Sequence, residues 1–103
     1  MKISASEQVQ RWLSGLTPEG KRQVRAALRG LERSGRNLDV KALRGELEGF
    51  YRLRVGGYRI VYHYGAGQIV YLDYAELRDE VYEAFKRLRT LRELGEEPGS
   101  ESS

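Results

Sequence analysis

The segment Tyr51–Tyr64, YRLRVGGYRIVYHY, decides how the chain is predicted to fold. Apolar and aromatic residues alternate with polar ones on both sides of Gly56-Gly57, which is the two-residue period of a β-strand. A Gly-Gly pair between two such runs favours a two-residue turn, because glycine readily adopts the positive φ angles that such turns require. The sequence therefore predicts an antiparallel hairpin in which Tyr51–Val55 pairs with Tyr58–Tyr64.

The turn also determines which side chains share a face of this hairpin. With a two-residue turn, Val55 lies opposite Tyr58 and Arg54 lies opposite Arg59, and opposed residues point to the same side of a sheet. One side then presents Arg52, Arg54, Arg59 and His63. The other side is predicted to face the core, and it presents Tyr51, Leu53, Val55, Tyr58, Ile60 and Tyr62.

The basic side of the hairpin indicates an anion-binding surface. Like charges placed opposite each other on a sheet are destabilising by a few tenths to about 1 kcal/mol. Guanidinium groups bind phosphate bidentately and keep their charge at any working pH. The alternative is a solvated surface whose arginines pair with Glu46, Glu48 or Asp73.

Helical patterns lie on both sides of the hairpin. An S-x-x-E capping box that starts at Ser4 precedes apolar residues at helical spacing and predicts a first helix ending near Gly15. Thr17-Pro18 is an N-cap followed by proline at the first helical position, and the second helix is predicted to end at about Ser34. Apolar residues at helical spacing predict a last helix over about Arg78–Leu94.

The remaining segments complete an α+β fold. Residues 37–49 lose periodicity and are predicted to form a connecting loop, residues 68–74 form a third strand inside the sheet, and Met1–Ile3 could add a short edge strand. The prediction is an N-terminal helical hairpin packed on a small antiparallel sheet with three clear strands, followed by a C-terminal helix. All helices are expected on one face of the sheet.

Composition narrows the class of protein. A chain of 103 residues is expected to be one domain, and no apolar run approaches the roughly 20 residues that span a bilayer. We therefore expect no membrane partner and, without a signal peptide, a cytoplasmic location. The absence of cysteine excludes disulfides, and a single histidine argues against a structural zinc site.

The charge distribution favours a polyanionic partner. The last nine residues, GEEPGSESS, contain three acids and no base, and they are predicted to be a disordered acidic tail over residues 95–103. Without them the net charge of residues 1–94 rises from +3 to +6. Six basic residues lie between Lys21 and Arg36 against the single acid Glu32. Nucleic acid or an acidic protein would suit this surface, and the alternative is a well-solvated helix.

Two further segments carry a family resemblance. The run LRGELEGFYRLRVGGYRIVYHY at residues 43–64, a third strand and then RDEVYEAF at residues 78–85 resemble the RelE/ParE superfamily of toxins from type II toxin–antitoxin systems. The matching positions are Leu43, Gly45, Tyr51, Arg52, Arg54, Tyr58, Arg59, Arg78 and Tyr82. The resemblance covers roughly residues 1–88 and implies a single RelE-like toxin domain over residues 1–94.

The resemblance implies two competing activities and a set of partners. RelE-type members are ribosome-dependent endoribonucleases that cleave messenger RNA without a metal or cofactor, whereas ParE-type members inhibit DNA gyrase and have no nuclease activity. Both are neutralised by a cognate antitoxin protein. The toxin–antitoxin complex binds DNA only through the antitoxin. The expected partners are therefore an antitoxin, the ribosome and messenger RNA. A gyrase inhibitor, or a degenerate member that only binds its antitoxin, remains the alternative.

The same resemblance assigns roles to particular residues. Arg59 and Arg78 would stabilise the phosphorane, and Arg52 and Arg54 would orient the RNA backbone. Tyr82, one turn after Arg78 on the same predicted helix face, is the candidate general acid or base. Some relatives have lysine at the first-strand positions, but arginine does not give up its proton in proteins, so these two side chains can only bind phosphate.

The general base is left open between three residues. Histidine ordinarily titrates near neutral pH, so His63 is the second candidate after Tyr82, although it could equally be a structural histidine hydrogen-bonded near Phe50. Glu76 and Leu77 stand where many relatives have a glycine and a basic residue. A carboxylate there would repel a phosphate unless Glu76 points away or itself acts as the base.

Overall fold

The computed structural model of the chain describes residues 2–33 and 37–95. In chain order the elements in these ranges are β1 (Lys2–Ala5), α1 (Glu7–Ser14), α2 (Pro18–Arg33), β2 (Asp39–Ala42), a 3₁₀ turn (Gly45–Leu47), β3 (Tyr51–Val55), β4 (Tyr58–Gly65), β5 (Ile69–Leu77) and α3 (Glu80–Glu93). The predicted end of the second helix at Ser34 lies outside the described residues, as does the acidic segment 96–103. No helix in the described ranges is long and apolar enough to cross a bilayer.

The strands form one sheet in the order β1-β5-β4-β3-β2. The predicted α+β class is confirmed, and so is the hairpin register, in which Val55 lies opposite Tyr58 and Arg54 opposite Arg59. The suggested N-terminal strand is present as a parallel edge strand beside β5. β5 lies inside the sheet, as predicted, and continues to Leu77.

The prediction of a connecting loop over residues 37–49 is wrong for β2. This strand forms the other edge of the sheet, where Asp39 pairs with Arg54 and Lys41 with Arg52. All four of its residues are exposed. The sequence DVKA does alternate polar and apolar residues, but a run of four residues with no buried face is too short to distinguish a strand from a loop.

α1 and α2 cover one side of the sheet. The buried residues of this layer are Val9, Val24, Leu31, Leu53, Ile60, Tyr62, Val70, Leu72 and Ala75. Trp12 packs edge-on against Tyr58, with ring centroids 5.3 Å apart. A Cβ at Gly20 would lie only 2.8 Å from the Tyr58 hydroxyl, so a larger residue at this position would displace the tip of the Tyr58 side chain.

α3 packs against the opposite side, so the expectation that all helices share one face of the sheet is wrong. Leu47, Val61, Val81 and Phe85 form a second buried cluster there. Val61 belongs to the side of β4 that also carries Arg59, and its apolar side chain is fully buried. The basic side of the hairpin is therefore not a free surface, because α3 covers its middle.

The helix starts were predicted with mixed success. The N-cap of α1 is Ser6, whose Oγ accepts a hydrogen bond from the Val9 N–H at 3.2 Å, whereas Ser4 belongs to β1. The predicted capping box from Ser4 is therefore wrong by two residues. The N-cap of α2 is as predicted, since Thr17 Oγ1 accepts from the Gly20 N–H at 3.1 Å.

Candidate active site

Arg52 and Arg54 of β3 share one carboxylate. Arg52 Nη2 lies 2.6 Å from Asp39 Oδ1, and Arg54 Nε lies 3.8 Å from Asp39 Oδ2. The sequence interpretation considered Glu46, Glu48 and Asp73 as partners, and it missed Asp39 because it missed β2. The Arg52 side chain is only 13% exposed, and its Nε has no hydrogen-bond acceptor among the described residues.

Arg59 is held against the hairpin turn. Its Nη1 donates hydrogen bonds to the carbonyl oxygens of Gly56 and Tyr58, at 2.9 and 3.1 Å. Its Nε lies 3.9 Å from Asp79 Oδ1, and the side chain is 12% exposed. The backbone of the turn therefore fixes this guanidinium, while the carboxylate beside it is 85% exposed.

Arg78 lies in the connection between β5 and α3. The prediction that it shares a helix face with Tyr82 is wrong, because α3 begins at Glu80. Arg78 adopts a φ of 52°, and its N–H donates to the Gly57 carbonyl oxygen at 2.7 Å. A left-handed conformation is uncommon for a long side chain, and Gln68 adopts it as well, with a φ of 59°. The side chain is exposed.

An open groove of about 730 Å³ runs between β2, the 3₁₀ turn and the first half of α3. We call it the basic groove, and its polar lining consists of Lys41, Arg44, Arg52, Asp79, Tyr82, Glu83 and Lys86. Four cations and two carboxylates surround the Tyr82 phenol, so the lining is net positive. Lys86 Nζ lies 3.5 Å from Glu83 Oε1.

Three of these lining residues, Lys41, Arg44 and Lys86, are absent from the candidates that sequence reasoning produced. Lys86 follows Tyr82 by four residues on the same helix, so its neighbourhood could have been read from the spacing. Lys41 belongs to β2 and Arg44 follows it, so both enter the groove because β2 pairs with β3.

His63 lies at the other end of the same sheet side. A β-bulge between Val61 and Tyr62 leaves Asp73 as an extra residue on β5. His63 Nδ1 lies 2.7 Å from Asp73 Oδ2, and the imidazole stacks on Tyr71 with centroids 5.2 Å apart. Burial raises the pKa of the Asp73 carboxyl above its ordinary value, and His63 partly offsets this rise.

His63 is separated from Arg59, which itself lies outside the groove lining. Four residues along β4 place it about 13 Å from Arg59, with the buried Val61 between them. The imidazole packs edge-on against the Phe50 ring, with ring centroids 5.4 Å apart. This position near Phe50 agrees with the alternative interpretation of His63 as a structural histidine. The structure thus brings Arg52 and Tyr82 into one groove and leaves His63 outside its lining.

Glu76 also lies away from the groove lining. It pairs across the sheet with Arg59 and accepts a hydrogen bond of 3.4 Å from the Tyr74 hydroxyl. Burial raises the pKa of the Tyr74 phenol, and the charge of Glu76 adds to the rise. Glu76 lines a small depression with Glu80, Glu83 and Arg87, outside the groove. As the cross-strand neighbour of Arg59, it nevertheless stays on the same side of the sheet as that predicted phosphate ligand.

The fold is similar to those of solved toxin–antitoxin proteins. The RelBE2 toxin–antitoxin complex from Mycobacterium tuberculosis is 26% identical, with a TM-score of 0.63 over 75% of this chain and 96% of that chain. A chain of the archaeal RelE–RelB complex from Pyrococcus horikoshii OT3 is 23% identical to this chain, with a TM-score of 0.65. The match covers 78% of this chain and 97% of that chain. The YoeB/ParE toxin from Agrobacterium tumefaciens is 16% identical, with a TM-score of 0.62 over 76% and 99%.

No protein-family model matches the sequence, and no curated protein matches it by sequence comparison. The structure nevertheless defines the class, because this chain has the RelE-like fold. Its structural neighbours are RelE, YoeB and ParE proteins, and the resemblance to the RelE/ParE superfamily of toxins that the sequence motifs indicated is confirmed.

Proposed function

We propose that this protein is the toxin of a type II toxin–antitoxin system and acts as a ribosome-dependent endoribonuclease on messenger RNA. The observation that carries the proposal is the basic groove, in which a largely buried arginine, two lysines and a tyrosine line one open channel. The similarity to RelE–RelB complexes supports a toxin role and an antitoxin partner.

The proposed reaction needs proton transfer and positive charge but no redox step. The 2′-hydroxyl of the substrate loses its proton to a base and forms a bond to the adjacent phosphorus. The bond from phosphorus to the 5′-oxygen then breaks, and that oxygen takes a proton from an acid. The products are a 2′,3′-cyclic phosphate and a 5′-hydroxyl, and the developing charge on the phosphorane needs fixed positive groups.

The groove offers side chains for each of these tasks. Arg52 supplies a fixed positive charge in the groove lining, and Lys41 and Lys86 provide both charge and exchangeable protons. Tyr82 is the proposed acid or base, because its phenol carries an exchangeable proton and lies in the groove lining with these cations. Arg59 reaches the groove through Asp79, and we propose that phosphate takes the place of this exposed carboxylate.

Arg54 and Arg78 remain proposals for phosphate binding outside the groove lining. Both side chains are exposed. Arg54 has only a long contact to Asp39, which leaves its guanidinium accessible to an RNA backbone that leaves the groove.

We further propose that residues 1–94 form the toxin domain, that residues 95–103 form an acidic tail, and that the protein acts in the cytoplasm, where ribosomes and messenger are found.

A second candidate function follows from the carboxylates. Asp79 and Glu83 line the groove, and Asp39 forms an ion pair with Arg52. Carboxylates beside a scissile phosphate would oppose its binding. This observation favours a non-catalytic member, either a ParE-type inhibitor of DNA gyrase or a protein that only binds its antitoxin.

Primer extension on messenger RNA in a purified translation system, with and without ribosomes, separates these functions. Under the nuclease proposal, wild type produces cuts only with ribosomes, Tyr82→Phe loses them, and Tyr71→Phe keeps them. Tyr71 is the matched control because it also loses a phenolic oxygen but packs on His63 outside the groove. Intact messenger with the wild-type protein would contradict the nuclease proposal, and a gyrase supercoiling assay would then test the second candidate.

A further inference from the structure

A row of basic side chains follows the outer surface of α2. We call it the α2 ridge, and its members are Lys21, Arg22, Arg25, Arg29 and Arg33. Residues 22, 25, 29 and 33 are three or four apart and so lie along one face of the helix. At 1.5 Å per residue they extend over about 16 Å. The opposite face of α2 carries Val24 and Leu31 into the core.

Repulsion within the α2 ridge opposes the helix that carries it, and only Arg33, in the last turn, lies where the helix dipole favours a cation. Arg22 pairs with Glu19 at 2.6 Å, and the other four members make no ion pair among the described residues. Like charges four residues apart repel each other. Lys21 and Arg22 also lie in the first turns of α2, where the helix dipole favours anions. Stability therefore does not explain why these side chains are present.

The chemistry of the ridge identifies its partner. The exposed large apolar side chains of the described residues are Val40, Tyr64, Leu77 and Leu94, and none belongs to α2. Protein interfaces are centred on buried apolar or aromatic anchors, whereas a phosphate backbone is bound through charge alone. Four of the five members are arginine, which binds phosphate bidentately. We propose that the α2 ridge binds the phosphate backbone of a structured RNA.

The position of the ridge makes it independent of the basic groove. α2 packs on one side of the sheet and α3 on the other, so the sheet separates the ridge from the groove. The protein can therefore hold a folded RNA on the ridge while a single strand enters the groove. The choice of RNA over DNA rests on the proposed function, but the binding of phosphate by the ridge does not.

The test is binding of a fluorescent RNA duplex, followed by anisotropy over a range of salt concentrations. The ridge variant is Lys21→Gln/Arg25→Gln/Arg29→Gln. The control is Lys2→Gln/Arg11→Gln/Arg87→Gln, which removes the same charge outside the ridge and the groove. Each lost phosphate contact lowers the slope of log affinity against log salt by about 0.7–0.9. We expect the ridge variant to lose about 2 from the slope, and the control to lose less than half as much.

Thermal unfolding of the same variants shows whether the fold is kept. The ridge variant is expected to melt no lower than wild type, because glutamine is a good helix former and the repulsion is removed. Charge-conserving Arg25→Lys/Arg29→Lys should retain most of the salt slope, which ties the effect to the ridge charge.

Three results would overturn the inference. The first is a ridge variant whose slope of log affinity against log salt equals that of wild type, and the second is a control variant that loses as much of this slope as the ridge variant. The third is tighter binding of a poly-glutamate peptide than of the RNA duplex. Tighter binding of a DNA duplex than of the RNA duplex would overturn the assignment to RNA. Uncut messenger together with loss of duplex binding in the ridge variant would contradict the proposed nuclease and leave the inference standing.

Discussion

The two ends of the sheet side that carries Arg59 and His63 both pair a basic group with a carboxylate, but they differ in what surrounds the pair. At the groove end the acids are accessible, since the Asp39 side chain is 52% exposed and that of Asp79 85%. At the other end Asp73 is only 17% exposed and stands against His63. Val61, buried with Phe85 of α3, separates the two ends.

This difference determines which end can exchange its partner. The carboxylates of Asp39 and Asp79 are exposed to solvent, so a phosphate can displace either of them and pair with Arg52 or Arg59, whose own side chains are only 13% and 12% exposed. Removing one member of the His63–Asp73 hydrogen bond leaves a part-buried polar group without its partner, at a cost of about 1–3 kcal/mol. We therefore interpret Arg52 and Arg59 as available to a substrate and the His63–Asp73 pair as part of the fold.

The largest expected effect is on the rate of ribosome-dependent cleavage, which allows substitutions at the two ends to be compared directly. Arg52→Met should lower ribosome-dependent cleavage by about 10²–10³-fold, because it removes a fixed positive charge from the groove. His63→Gln should change the rate by less than about threefold, because Val61 separates His63 from the groove. Cleavage rates from primer extension would measure both. A larger loss for His63→Gln than for Arg52→Met would reverse the comparison.

A smaller effect depends on pH and concerns Asp73. Since burial raises the pKa of its carboxyl in the folded protein, the ionised form is disfavoured there relative to the unfolded chain. The stability linked to this group is fully present below its unfolded pKa of about 3.9 and is lost as the pH rises through the folded value. Asp73→Asn removes this dependence, so the stability of the variant relative to wild type should increase as the pH rises from 3 upward.

Urea denaturation of wild type and Asp73→Asn at several pH values below 6 would measure the change. Glu93→Gln provides the control, because Glu93 is exposed at the end of α3 and the substitution removes a comparable carboxylate. If the stability of the Asp73 variant relative to wild type instead decreased with rising pH, the fold would favour the ionised Asp73.

The smallest effect is expected at Arg54. Its side chain is 52% exposed, and its contact to Asp39 is 3.8 Å long. Arg54→Ala should therefore change the free energy of unfolding by less than about 1 kcal/mol, and the lost repulsion with Arg59 on the opposite strand would act in the stabilising direction. Chemical denaturation at low and high salt would measure it, and a loss above about 2 kcal/mol would show that the long contact is a strong one.

The parts of this fold that could be predicted from sequence are those set by local rules. The Gly56-Gly57 turn specified the hairpin register, and Thr17-Pro18 specified the start of α2. The bulge at Asp73 could not be predicted, because a single extra residue on β5 leaves the apolar pattern of QIVYLDY nearly intact. The side of the sheet on which α3 packs was indicated by one residue only, the apolar Val61 among basic neighbours.

The candidate site was predictable in its residue types and less so in its shape. Arg52 and Tyr82 were identified from the motif, and both line the basic groove. Lys41 and Arg44 required knowledge of β2, an edge strand without a buried face. Arg78 was misplaced because helical spacing was extended across a turn with a positive φ angle.

The φ of 52° at Arg78 has a consequence for how sequences can vary at this position. Glycine or asparagine would relax the backbone there, while only arginine or lysine would keep the charge. Stability and charge therefore favour different amino acids at one site. Among descendants of this chain, loss of the need for a cation at residue 78 would therefore favour a drift toward glycine at this position.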